Sequence, residues 1–357
     1  MARKWSSAEE ESFKSPWRER AKLSYHTVEE FGAKGNISEE QVMSILQDGI
    51  DIHVHGYPDA LVDTGWDFAW EAKQAYDAGM RAMVFKSMLS DTAPMMHFVQ
   101  QIVDRHAQEK EERGEIRRHP FNAYGGVVLN WSVGGLNPEA VKVSAKLGAK
   151  IIWLPSHDSA HHMKTLQEDG NGVEVLDEHD NPLPELIEIF KIVAKYNIIL
   201  DLCHTGTKER FIMTEEAQKY GVQKILLTHP QWSVNRMSID EMAEISRMGA
   251  YIGLFMYSAV PHFNNPVADR TEVLKIIEKV GPEKCSIATD YGSMLNPPPL
   301  EGMKLYVRLL LAMGVPEEDI RTMLCRNNAH LLGIDDQAKA SVVHDAERII
   351  AKEPARH

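Results

Sequence analysis

Two histidines stand one residue apart in the stretch DIHVHG, His53 and His55, at the end of a short apolar run. Three further residues take the same position after an apolar run: His204 in DLCHTG, His229 in LLTHP and Asp290 in ATDYGS. Neutral imidazole and carboxylate are donors suited to Zn²⁺ and other borderline divalent cations, and three or four protein ligands leave a position open for water. A metal so held brings the pKa of that water down towards neutrality and polarises a carbonyl or phosphoryl oxygen. Asp290 is then the group placed to take a proton from the water and hand it to a leaving group. Taken singly, the His-x-His pair also reads as a solvated strand end, and each lone histidine as a hydrogen-bonded core or loop residue. Their joint placement carries the chemical reading.

The elements that must position these residues are short apolar runs alternating with longer amphipathic stretches from residue 50 onward. Eight runs are counted: IDIHVHG, RAMVFKSM, FNAYGGVVLNW, AKIIWLPSH, NIILDLCHTG, QKILLTHP, AYIGLFMYS and KCSIATDYGS. Helical stretches such as FAWEAKQAYDAG, PEAVKVSAKLG, LPELIEIFKIVAKY, TEEAQKYG, SIDEMAEISRMG and RTEVLKIIEKVG lie between them, several ending at a glycine. Strand–helix alternation implies a parallel sheet, and a count of eight favours an α/β fold closed as a (β/α)8 TIM barrel. An open, doubly wound sheet is the alternative, and the absence of a Gly-rich fingerprint after the first strand speaks against it. Alternation along a strand points His53 and His55 the same way, towards the barrel axis. In a barrel all the strand ends named above converge on one mouth.

Residues 1–48 read as a charged N-terminal helical extension, with Ser38 as a helix cap in SEEQVMSILQDG; residues 49–334 form the barrel, and 335–357 a C-terminal helical tail. A lid insertion at about residues 157–185 follows the fourth strand, where VEVLDEHDNPL resembles a small hairpin. With 357 residues, 43% hydrophobic and 25% charged, the chain has the composition of a globular protein with a large core. A formal net charge of −13 disfavours nucleic acid and anionic membrane surfaces and leaves a small molecule as the expected partner. Three well-separated cysteines, Cys203, Cys285 and Cys325, argue against a disulfide scaffold. With neither a signal peptide nor a membrane-length run in view, a cytoplasmic location is the expectation. The composition is also compatible with a homo-oligomer.

The set His53, His55, His204, His229 and Asp290 resembles the amidohydrolase superfamily, which carries His-x-His after strand one, His after strands five and six, and Asp after strand eight. The ending NNAHLLGI is similar to the Asn-x-Ala-x-x-x-Gly helix that closes many of these barrels, and the resemblance spans roughly residues 50–334. It implies one or two divalent ions, zinc first and manganese as the alternative. One departure stands out. Two-metal members usually bridge their ions with a carboxylated lysine or a glutamate from strand four, which IIWLPSHDS lacks, whereas Lys86 ends strand two in MVFKSM. Lys86 reads three ways: carboxylated and bridging, a free cation for a substrate anion, or a structural lysine reaching solvent.

His157, Asp158, His161 and His162 cluster just past strand four, where they read as lining the mouth or adding a ligand, His157 and Asp158 being better placed; a polar lid is the alternative, above all for His161 and His162. Trp131, Trp232, Tyr257 and Tyr291 are candidate walls for a flat substrate, or plain caps on the core. The expected activity is metal-dependent hydrolysis at the carbonyl carbon of an amide, a cyclic amide or imide, or a lactone, with Asp290 as proton shuttle. A phosphoesterase and a non-oxidative decarboxylase are alternatives on the same barrel. A non-catalytic metal-binding or sensing barrel is the alternative from another class.

Overall fold

A computed structural model describes residues 37–115, 119–260 and 269–335. Most of the expected N-terminal extension, residues 1–36, and the tail from 336 onward lie outside these, as do His26, His262, His344 and His357.

Among the described residues nine strands appear where eight runs were counted: β1 Ile50–His55, β2 Ala82–Lys86, β3 Asn122–Tyr124, β4 Gly126–Val128, β5 Ile151–Trp153, β6 Ile199–Asp201, β7 Ile225–Leu227, β8 Tyr251–Phe255 and β9 Cys285–Ala288. All pairs are parallel, in the orders β1-β2-β3 and β4-β5-β6-β7-β8-β9. β3 and β4 are the third run, interrupted at Gly125. Thr92 mends the break: its N–H donates to Gly126 O at 3.0 Å, and its hydroxyl donates to Phe85 O at 2.7 Å and accepts from Gly126 N at 3.0 Å. The glycine is required there, since a Cβ on Gly126 would stand 1.8 Å from Ile151 O.

The two sheets join at the other seam as well. Asp290 N donates to His53 O at 2.9 Å, His55 N donates to Tyr291 O at 2.8 Å, and Val54 bridges Tyr291 in parallel. Last strand therefore meets first, which is the barrel and not the open sheet. Inside it Ile50, Ile52, Val84, Ile151, Trp153, Leu226 and Phe255 pack as one cluster, while a second, larger cluster fills the layer between strands and helices. Asn327 and Asn328, on the helix Asn327–Leu332, close the far end. Asn328 Nδ2 donates to Ile50 O at 2.8 Å and Ile287 O at 3.1 Å, across the β1–β9 seam.

The helices α1 Glu39–Leu46, α2 Phe68–Asp77, α3 Ala93–Glu112, α4 Pro138–Lys146, α5 Ala160–Leu166, α6 Pro184–Tyr196, α7 Thr207–Lys219, α8 Ile239–Arg247, α9 Met256–Ala259, α10 Arg270–Val280 and α11 Pro299–Ala312 complete the alternation. Ser38 caps α1 by accepting from Gln41 N at 3.1 Å, as its position before two glutamates predicts. The expected hairpin is reduced to one antiparallel bridge, Leu176 with Pro182, around a turn in which Asp177 Oδ1 accepts from His179 N and Asn181 N. Pro182 and Pro184 have no N–H with which to extend a ladder. Among the described residues no helix is long and apolar enough to cross a membrane.

Candidate metal centre

β1 delivers both of its histidines inwards by a change of phase. Ile50 and Ile52 belong to the barrel interior and Val54 to the outer layer, with a register shift between Asp51 and Val54. That irregularity turns His53 and His55 to the axis although they are out of step with Ile50 and Ile52. At the seam they meet Asp290. His53 Nε2 lies 3.3 Å and His55 Nε2 3.2 Å from Asp290 Oδ1, and His229 Nε2 lies 3.5 Å from Oδ2. One ligand atom each from His53, His55 and Asp290 falls within 4.8 Å of the others, a grouping able to hold a metal ion. Two imidazole nitrogens and a carboxylate oxygen at this spacing form an N₂O donor set for a borderline divalent cation, so the residues present fit the implied metal.

The protonation states agree with that fit. Burial drives His53 and His204 well below the ordinary histidine pKa and takes His229 to about 4, leaving neutral rings with free lone pairs. For Asp290 burial pushes upward, but the imidazoles of His53, His55 and His229 outweigh it and hold the carboxyl well below its usual range. Lys86 enters from β2, buried, with Nζ 3.3 Å from His53 Nε2, 3.8 Å from Cys203 Sγ and 5.6 Å from the centre of the Trp153 ring. It does not reach solvent, which removes the structural reading that required it to.

His204 is set apart from the trio. Its ring centre lies 5.2 Å from that of His229, and its Nδ1 is 2.9 Å from His162 Nδ1, with the His162 and His204 rings stacked. His162 is thus a buried partner of His204, not part of a polar lid. His157 stands against both rings, and burial followed by the neighbouring His162 lowers its pKa to about 4. Trp232 packs within 5.1 Å of both His204 and His229, ring centre to ring centre. His157, His204, His229 and Trp232 line a cavity of about 180 Å³ together with Tyr257, Met88 and Leu295. Trp131 and Asp158 do not join it: Asp158 Oδ2 accepts from Trp131 N at 2.7 Å, and Trp131, 52% exposed, borders a separate hollow with Leu136 and Val173.

Four residues not singled out in the sequence hold the strand ends in place. Asp51 Oδ1 accepts from His53 N at 3.3 Å and Thr289 N at 3.1 Å, while Oδ2 accepts from the Thr289 hydroxyl at 2.6 Å. Across the barrel Asp201 repeats the pattern: Oδ1 accepts from Cys203 N at 2.8 Å and Thr228 N at 3.2 Å, and Oδ2 from the Thr228 hydroxyl at 2.5 Å. Each threonine precedes a functional residue, Asp290 or His229. Burial raises the Asp51 pKa to about 7 and also raises that of Asp201. Cys203, His229 and Asp290 all take left-handed backbone angles, φ 44°, 28° and 57°, strain of the kind that clusters at functional sites.

The profile of a family of unknown function, DUF6282, matches residues 48–253. The chain belongs to this family. No curated protein sequence matches the DUF6282 chain. Among solved structures it is similar to an amidohydrolase from Pseudomonas aeruginosa, at TM-score 0.54 and 13% identity, covering 83% of this chain and 98% of that one. It is also similar to the probable dipeptidase PvdM from Pseudomonas aeruginosa, at TM-score 0.51, 10% identity and coverage of 88% and 99%. A third is a putative 2-pyrone-4,6-dicarboxylic acid hydrolase from Pseudomonas putida, at TM-score 0.51, 12% identity and coverage of 81% and 98%. The fold is therefore the one seen in amidohydrolase-superfamily enzymes.

Proposed function

We propose that this DUF6282 chain is a metal-dependent hydrolase that attacks the carbonyl carbon of a small amide, cyclic amide or imide, or lactone. The observation that carries the reading is the convergence of His53, His55 and His229 on the carboxylate of Asp290 at the mouth of the barrel. His53, His55 and Asp290 would hold the ion, zinc or alternatively manganese, with His204 and His229 facing it from beyond the ends of β6 and β7. When bound, the metal supplies Lewis acidity, which acidifies water and polarises a carbonyl oxygen. Asp290 is ionised at neutral pH and so is ready to accept a proton at its carboxylate and return it to the leaving group. His229, on the second oxygen of Asp290, orients that carboxylate. Trp232 and Tyr257 form walls that hold the substrate against it. Lys86 lies beside His53, where carboxylation would give it an oxygen donor for a second ion. A phosphoesterase centre would need more carboxylates than the cavity offers, since Asp290 is the only one among its described lining residues.

Substituting Asp290→Asn should lower turnover of the susceptible amide or lactone by about 10²–10⁴-fold while circular dichroism stays unchanged. A variant hydrolysing at a near-normal rate overturns the assignment. Intact mass of the metal-loaded protein, read alongside, reports whether Lys86 carries an added carboxyl group.

A further inference from the structure

Resting on that hydrolase reading, we infer that the substrate is uncharged and apolar away from its reacting carbonyl, a compact aryl or cyclic compound and not a carboxylate-bearing one. Among the described residues lining the cavity, Lys86 and Asp290 are the only ones with an ammonium, guanidinium or carboxylate group. Both belong to the centre itself: Lys86 Nζ is turned to His53 Nε2 at 3.3 Å and Asp290 to the imidazoles. The wall beyond them is Val62, Met88, Trp232, Tyr257 and Leu295, with Ser293 and Asn296 as neutral hydrogen-bonding groups.

The apolar character continues outward. Met294 N donates to Asp63 O at 2.9 Å and Thr64 bridges Ser293, which ties the loop after β1 to the loop after β9 at the rim. On these tied loops Tyr57, Leu61, Met294 and Leu295 are 62%, 52%, 61% and 67% exposed. Grouped exposed hydrophobic side chains beside a site mark a surface that meets an apolar partner. A remote carboxylate entering here would lose its hydration, and Lys86, the one cation among the described lining residues, is turned to His53 and away from the apolar wall. A ring laid on Trp232 loses only apolar hydration and gains a face to stack on.

The test is equilibrium binding of matched, non-hydrolysable ketone pairs to the full, metal-loaded chain, by calorimetry: acetophenone against para-acetylbenzoate, and 2-tetralone against its ring-carboxylated counterpart. The neutral member should bind at least about tenfold tighter, a difference of roughly 1.4 kcal/mol. Leu295→Arg, which puts a cation on the rim, should narrow that gap by strengthening the carboxylated member. Equal or reversed preference, binding by neither member, or a gap indifferent to Leu295→Arg overturns the inference. The two readings fail separately: reversed preference with turnover intact removes only the substrate class. A preserved preference in a chain that takes up no metal and turns nothing over removes the hydrolase.

Discussion

Glu71, on the first turn of α2, has both carboxyl oxygens buried with no hydrogen-bond partner among the described residues, beside Gly56 and close behind His55. Burial first, then the nearby Asp51 and Asp67, raises its pKa well above the ordinary glutamate value. Below that ordinary value the folded and unfolded chains both carry the proton. As pH rises through it, the unfolded chain ionises while the fold keeps its proton, so stability falls until the folded group itself ionises. Glu71→Gln removes this dependence. Melting temperatures of the two proteins should differ least near about pH 4 and diverge in favour of the variant towards pH 8. Melts across that range check it, and a pH-independent offset would sink the account. Single-residue legibility was uneven in an instructive way. His53, His55, Lys86, His229 and Asp290 stood out because a polar group ends an apolar run. Asp51, Asp201, Thr228 and Thr289 lie within or against such runs and look like ordinary strand residues. Their signal was relational: D-x-H answered by T-D, and D-x-C answered by T-H. His162 was legible as one of the polar residues past the fourth strand, but nothing in a linear chain shows that its ring stacks on that of His204.

Among the elements, the break between β3 and β4 is the most exacting. Gly126 lets β4 pair with β5 only because it has no Cβ. Gly126→Ala should therefore cost about 3 kcal/mol or more, with the denaturation midpoint as readout. A midpoint within error of the parent would mean that the strand shifts freely at this point. All eight apolar runs were legible because buried parallel strands are apolar on both faces and stand out from amphipathic helices. The splitting of the third run was not, since consecutive glycines mark a tight spot without saying which residue drops out. α7 starts at Thr207, well ahead of the TEEAQKYG stretch that signals it. Its first turns are polar, and Arg210 there is buried by donating to Asn235 O at 2.9 Å and to Cys203 O. Such burial depends on partners from other elements and leaves no helical periodicity to find.

For the whole molecule, the proposed metal site joins the first strand to the last, so ion binding should act as a clasp. Protein stripped by chelation and then given Zn²⁺ or Mn²⁺ at about a hundredfold above the dissociation constant should gain roughly 2.7 kcal/mol. A rise in melting temperature with added metal is the check. No shift with either ion would remove the centre from the account. Barrel closure was anticipated from a count of eight, the missing Gly-rich fingerprint and a family resemblance, whereas the β1–β9 hydrogen bonds show it directly.

That seam also sets an order on events during synthesis. Asp51 and Thr289 are 238 residues apart, yet they clamp the same corner of the ring. A nascent polypeptide halted before β9 lacks Thr289, so the Asp51 carboxylate has no partner from the last strand and the corner that carries His53 and Asp290 stays open. The ring thus shuts only once the last strand has been made.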